Sequence, residues 1–177
     1  LSKAYLAPGW RAGWLAVGRS PRLNGVLGAI RKLADGRLCS PGPMQFAIGA
    51  ALSGDRSHQT AFIAALRQRA DLTMARLGAM PGVSCVAPRA AFYAMPRIAL
   101  PPGTTDEDYV LGLLRETGIL CVYGSGFGLG RDEGFLRVVF LAPLDDLSAI
   151  YDDMAAFTAR FLETAGTPAS ARTAHHR

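Results

Sequence analysis

The sequence is poor in the features that mark membrane, secreted or nucleic-acid-binding proteins. No apolar run approaches the roughly 20 residues that a membrane-spanning helix needs. Cysteine is scarce: Cys39, Cys85 and Cys121 are an odd number at wide spacing. They make neither a disulfide framework nor a zinc site, and they suit a reducing, cytoplasmic setting. Lysine is scarcer still, with Lys3 and Lys32 alone among 19 basic residues. The arginines are spread along the chain without a basic block or interleaved aromatics, so no nucleic-acid surface is expected. The 20 glycines and 11 prolines are scattered without a collagen-like period. No internal repeat is visible. The opening Leu1-Ser2-Lys3 has no initiator Met and no signal peptide, which leads us to expect a piece of a longer chain.

What is present reads as globular. The chain has 177 residues, a net charge of +5 and 50% hydrophobic residues. That is enough for one domain with a proper core, or for parts of two, and it excludes a disordered chain. Gly13 to Gly18 is a short apolar run bounded by glycines, the pattern of a buried strand. Ser20 and Pro21 open a helix, Ser at the cap and Pro in the first turn. Its apolar face is Leu23, Val26, Leu27, Ile30 and Leu33. A break at Ser40-Pro41-Gly42-Pro43 precedes a helix from Pro43 to Leu52, whose small residues suit burial. The longest periodic segment, about Thr60 to Leu77, is a helix stopped by Pro81-Gly82.

Beyond it the texture changes. Strands are expected at Val83–Val86 and Ala91–Ile98, then a helix from about Thr105 to Glu116, capped by Thr104, Thr105 or Asp106 and ended by Gly118. A strand at Ile119–Tyr123, a glycine-rich loop at Gly124–Gly134, a strand at Phe135–Leu141 and a helix at Leu144–Leu162 complete an α/β or α+β layer. The last residues, from Glu163, are small and polar and are expected to be disordered.

Chemistry concentrates at the start. Lys3 is followed eight residues later by Arg11 around a Pro8-Gly9 turn. That arrangement can fold the arginine back beside the lysine. The pattern Ser2-Lys3-x4-Pro8-Gly9-x-Arg11-x-Gly13 resembles the cofactor-lysine signature of the class I/II aminotransferases, fold-type I pyridoxal phosphate enzymes. The resemblance runs from Leu1 to about Leu162. It includes Arg37-Leu38-Cys39-Ser40, Gly82 to Arg89 and Ala91-Phe92-Tyr93, and it looks most like the bacterial alanine aminotransferase branch. Phe135 to Phe140 resembles the family strand that carries a substrate-binding arginine.

The resemblance implies an α/β fold: the end of a large cofactor domain at residues 1–55, a small C-terminal domain at 56–163 and a tail at 164–177. It implies that Lys3 holds pyridoxal phosphate through its amine and then moves a proton at the substrate α-carbon. Arg11 would grip the phosphate with its planar fork. Ser2 would either orient the site or simply end a loop. Arg137 would bind the substrate α-carboxylate, although an arginine on the exposed face of a strand needs no such role. The substrates implied are an amino acid, alanine, and a 2-oxo acid, 2-oxoglutarate. A homodimer is implied, with no nucleic acid, no membrane and no metal. The family takes its pyridine-nitrogen and ring-stacking residues from its N-terminal half, so this chain alone is expected to be inactive. The alternatives are a fold-type I enzyme for aromatic, branched or sulfur amino acids, a carbon–sulfur lyase, or the effector-sensing domain of an aminotransferase-like regulator.

Other residues read more plainly. Gly124 to Gly130 does not open a helix after a strand, so it is no dinucleotide loop. His58 is expected to be exposed, and His175-His176 is a poor metal site. Phe92 and the three cysteines are expected to pack, and Tyr93 either to pack with them or to face an interdomain cleft. Ala90 stands where the family commonly has Gly, which would strain the backbone if a positive φ is needed there.

Overall fold

Helices carry most of the chain. The computed structural model describes residues 1–37, 39 and 41–165, with the backbone alone at 164 and 165. The elements in order are α1 (Asn24–Arg37), α2 (Gly42–Ser53), α3 (Ser57–Gly78), β1 (Val83–Ser84), β2 (Tyr93–Ala94), β3 (Arg97–Ile98), α4 (Asp106–Thr117), β4 (Val122–Tyr123), β5 (Leu136–Val139) and α5 (Leu144–Ala165). Short 3-10 turns occur at Pro8–Trp10, Pro21–Leu23 and Gly124–Phe127. The chain divides into two compact units, one ending at Phe62 and the other beginning at Ile63. The division falls inside α3.

The first unit has little interior. Ala12 is its one buried residue among those described. The strand expected at Gly13–Gly18 does not form: the segment is irregular, and Trp14 and Leu15 are exposed. A strand needs a neighbour for its backbone N–H and C=O groups. No described residue of this unit belongs to a strand. Pro21 begins the expected helix as a 3-10 turn, but the Ser20 side chain makes no cap hydrogen bond. Helix α2 forms as expected but buries nothing, and Phe46 is 87% exposed. Its apolar residues lie all round the helix, and the unit has no layer to cover them.

The second unit has a true core. Leu77 at the end of α3, Leu113 of α4, Leu136 and Val138 of β5, and Leu147, Met154 and Phe157 of α5 are all buried in it. On α5, Leu147, Tyr151, Met154 and Thr158 recur at three- to four-residue spacing, so one face turns inward. Buried hydroxyls are paired: Tyr109 with Thr158 at 2.7 Å, and Tyr151 donates to Thr73 at 3.0 Å. Helix α4 starts on a capping box in which Thr105 and Asp108 satisfy each other's backbone N–H groups. Gly118, at φ 76°, ends it.

Two small antiparallel sheets complete the unit, one in the order β2-β5-β4 and the other pairing β1 with β3. Tyr93 faces Val139, and Val122 faces Arg137. The single strand expected at Ala91–Ile98 is two strands in separate sheets. Pro96 lies between them, and its missing N–H interrupts a ladder. Strands β1, β4 and β5 are shorter than expected. Helix α5 runs on through Glu163 to Ala165, into the expected tail. Leu38, Ser40, residues 166–177 and with them His175 and His176 lie outside the described residues.

Candidate functional site

The segment carrying Lys3 is a closed loop. The Leu1 nitrogen donates to the Ala12 carbonyl at 3.0 Å, so the two ends of the segment meet. Within it the Tyr5 N–H donates to Leu1 O at 3.2 Å and the Leu6 N–H to Lys3 O at 3.3 Å. Two non-glycine residues, Leu6 at φ 56° and Arg11 at φ 52°, take the left-handed conformation. Each such residue costs roughly 1–2 kcal/mol, a strain that collects at sites where side chains must be aimed. The Arg11 guanidinium donates from Nη1 to the Pro8 carbonyl at 2.9 Å. Lys3 and Arg11 are exposed and Ser2 is half-buried. Ser2, Lys3 and Arg11 thus lie on one loop, and that loop closes without the strand expected after it. A primary amine, a guanidinium and a hydroxyl on one loop are the donor set that an aldehyde bearing a phosphate requires, so these residues fit pyridoxal phosphate.

Arg137 belongs to the second unit, at the centre of its three-stranded sheet. Leu136 and Val138 point into the core, which turns Arg137 and Val139 to the opposite face. Tyr93, paired with Val139, is a diagonal neighbour on that face. The guanidinium carbon lies 4.8 Å from the Tyr93 ring centre and 4.6 Å from that of Phe127. Two rings therefore contact one cation. The Arg137 Nε is buried and has no hydrogen-bond partner among the described residues. A buried donor left unpaired is costly, and a planar anion lying at the guanidinium edge would satisfy it.

The loop bearing Phe127 is fastened from behind. Asp106, 1% exposed, accepts from the Ser125 N–H at 2.6 Å and from the Ser125 hydroxyl at 3.1 Å. Its own N–H donates to Arg131 O at 2.8 Å. Gly124 N donates to Phe135 O at 2.6 Å, and the Gly128 N–H returns to Ser125 O at 3.1 Å.

Several expectations shift. The positive φ lies at Ala91 (60°) and not at Ala90, so the strain sits beside the Phe92-Tyr93 pair. Phe92 packs against the core as expected, and the Arg137 guanidinium lies over the Tyr93 ring. Cys39 is exposed, against the expectation that it packs, because it lies between α1 and α2 where the unit has no layer to cover it. Cys85 is half-buried and Cys121 buried, and burial pushes the Cys121 thiol up to about 11. His58 is exposed. Sequence reasoning missed Phe127 and the tether role of Asp106. The available signal was one aromatic side chain set among glycines. Among the described residues no cluster of His, Cys, Asp or Glu could hold a metal, and no helix is long and apolar enough to cross a membrane.

The family pattern of "Aminotransferase class I and II" matches residues 1–148. An alanine aminotransferase of Mycobacterium tuberculosis is 38% identical over 162 residues, 89% of this chain and 38% of that protein. A glutamate-pyruvate aminotransferase of Escherichia coli is 33% identical over 163 residues, 89% of this chain and 40% of that protein. An alanine aminotransferase structure from Pyrococcus furiosus superimposes with a TM-score of 0.83 at 38% identity, covering 90% of this chain and 40% of that one. An aspartate aminotransferase structure from Rhizobium meliloti does so at 0.77 and 27% identity, again covering 90% and 40%. The chain thus spans about two-fifths of the length of the relatives it matches.

Proposed function

Because this chain belongs to the class I and II aminotransferases and has their fold-type I architecture, we propose that the whole protein transfers an amino group from alanine to 2-oxoglutarate. The names of the relatives, alanine aminotransferase and glutamate-pyruvate aminotransferase, support that pair. The observation that carries the reading is Arg137, in contact with two aromatic rings and with its buried Nε unpaired among the described residues. Every amino-acid and 2-oxo-acid substrate carries an α-carboxylate, and a guanidinium edge binds a carboxylate through two parallel hydrogen bonds.

Lys3 would hold pyridoxal phosphate through its amine, with Arg11 on the phosphate and Ser2 beside them. When bound, the cofactor supplies the electron sink for chemistry at the substrate α-carbon. The protein's part is to orient and to move a proton. Arg137 would fix the substrate by its carboxylate, and the Lys3 Nζ would take the proton from the substrate α-carbon and deliver it to the cofactor's C4′ carbon. Residues 1–55 would close the large cofactor domain and 56–163 would form the small one. The working protein would be a cytoplasmic homodimer, and the 177-residue chain by itself would not turn over.

Borohydride trapping of the cofactor in the whole protein, followed by peptide mapping, tests the assignment. Label on the peptide containing Lys3, and its loss in Lys3→Ala, is the expected result. Label on any other lysine overturns it. A panel of amino donors tests the substrate: a strong preference for an amino acid other than alanine removes the alanine assignment.

A further inference from the structure

We propose that Asp106 is a positioning residue for substrate binding, which acts through Ser125 and Phe127 on Arg137. The inference rests on the reading of Arg137 as the carboxylate-binding residue. Asp106 is almost wholly buried, and no cation pairs with it among the described residues. A buried carboxylate in that state is expensive unless hydrogen bonds satisfy it. Both of its oxygens are used on a single partner: Oδ2 accepts the Ser125 N–H and Oδ1 the Ser125 hydroxyl.

The start of α4 does not need this carboxylate. Thr105 and Asp108 already cap the helix through their own reciprocal hydrogen bonds. The charge of Asp106 is therefore free to hold the loop. Ser125 lies in the turn Gly124–Phe127, and its carbonyl accepts the Gly128 N–H at 3.1 Å. Fixing Ser125 at both its N–H and its carbonyl leaves Phe127 one place to go. That place is against the guanidinium, 4.6 Å from ring centre to Cζ. The guanidinium also lies over the Tyr93 ring, 4.8 Å from its centre. The two ring contacts hold the cation in place before the acid arrives. Pre-ordering of this kind shows as affinity, not as chemistry.

The test uses the whole holoenzyme with L-alanine and 2-oxoglutarate. Asp106→Asn keeps the size but turns an amide N–H₂ toward one of the two Ser125 donors. KM for both substrates should rise about tenfold, the worth of one such hydrogen bond, with kcat changed less than about twofold. Ser125→Ala, which removes only the longer bond, should give a smaller rise of the same kind. In a Phe127→Leu background the Asp106→Asn effect should largely disappear, because both changes act on one contact. Thr105→Ala controls for a merely structural role: it should lower the melting temperature and leave both KM values unchanged.

Additive effects of Asp106→Asn and Phe127→Leu would overturn the inference, as would an equal KM rise in Thr105→Ala. Arg137→Lys separates this failure from failure of the underlying reading. If Arg137→Lys raises KM for both acids while Asp106→Asn does not, only the positioning role falls. If Arg137→Lys leaves both KM values unchanged, the carboxylate reading falls and takes this inference with it.

Discussion

A guanidinium in contact with two rings is held in place before an anion arrives, and the residues around Arg137 build that constraint. Tyr93 comes from β2, Phe127 from the turn after β4, and Arg137 itself from β5, so three separate stretches of chain meet at one charge. Strain lies close by. Ala91, two residues before Tyr93, has φ 60°, a conformation that costs an alanine roughly 1 kcal/mol or more. Ala91→Gly removes that cost, while glycine's freer unfolded chain takes back part of the gain. The net expectation is a stability increase of about 0.5–1 kcal/mol, read as a higher urea midpoint. A lower midpoint would show that the Ala91 methyl contributes packing that outweighs the strain. The same scale explains what the sequence could reveal of the site. Lys3 and Arg11 are legible because they share one short motif with a Pro-Gly turn. Phe127 and Asp106 are not, because they reach Arg137 and Ser125 only through contacts between residues 10 and 19 positions apart.

At the scale of elements, legibility follows how locally each element is specified. Helix α4 carries its own start at Thr105 and its own stop at Gly118, and both were readable. Strands have no such local marks. The run Ala91–Ile98 looks continuous in hydropathy, and only Pro96 divides it between two sheets. The segment Gly13–Gly18 has a strand's composition but no partner among the described residues of its unit. The packing of α3, α4 and α5 also sets the alkaline limit of the second unit. Burial pushes the Tyr109 hydroxyl from 10.0 up to about 12, and it raises Tyr151 as well. The Cys121 thiol moves from 9.0 to about 11 by the same cause. In the unfolded chain these groups lose their protons at their ordinary values, while the folded chain still holds them. Stability from this source is thus complete below about pH 9 and is lost as pH climbs toward 12. Urea midpoints measured from pH 8 to 12 should fall over that range. Tyr109→Phe should be less stable at neutral pH, having lost the hydrogen bond to Thr158, yet should show a shallower alkaline decline. An equally steep decline in the variant would mean that Tyr109 does not contribute to it.

The whole molecule is two units of unequal self-sufficiency. From Ile63 onward, helices and sheets close over a continuous apolar core. The unit ending at Phe62 buries only Ala12 among its described residues, while Trp10 (51%), Trp14 (64%), Leu15 (70%), Leu33 (78%) and Phe46 (87%) stand exposed. Exposed apolar surface of that extent marks a region that needs a covering partner. Burial of apolar area is what offsets the entropy of ordering a chain, and this unit has almost none to set against it. Helices α1 and α2, of 14 and 12 residues, are also short enough to be marginal without tertiary packing. Amide hydrogen exchange on the purified 177-residue chain should therefore split in two. Amides of α4, β5 and α5 should be protected for minutes to hours, and those of α1 and α2 should exchange at close to the unfolded rate. In the whole protein, α1 and α2 should gain protection, because the proposed cofactor domain would cover their apolar sides. Strong protection of α1 and α2 in the isolated chain would mean that the first unit folds unaided. The lack of turnover proposed for the isolated chain would then rest on the residues expected from the N-terminal half alone, since the Lys3 loop would be held in place without them.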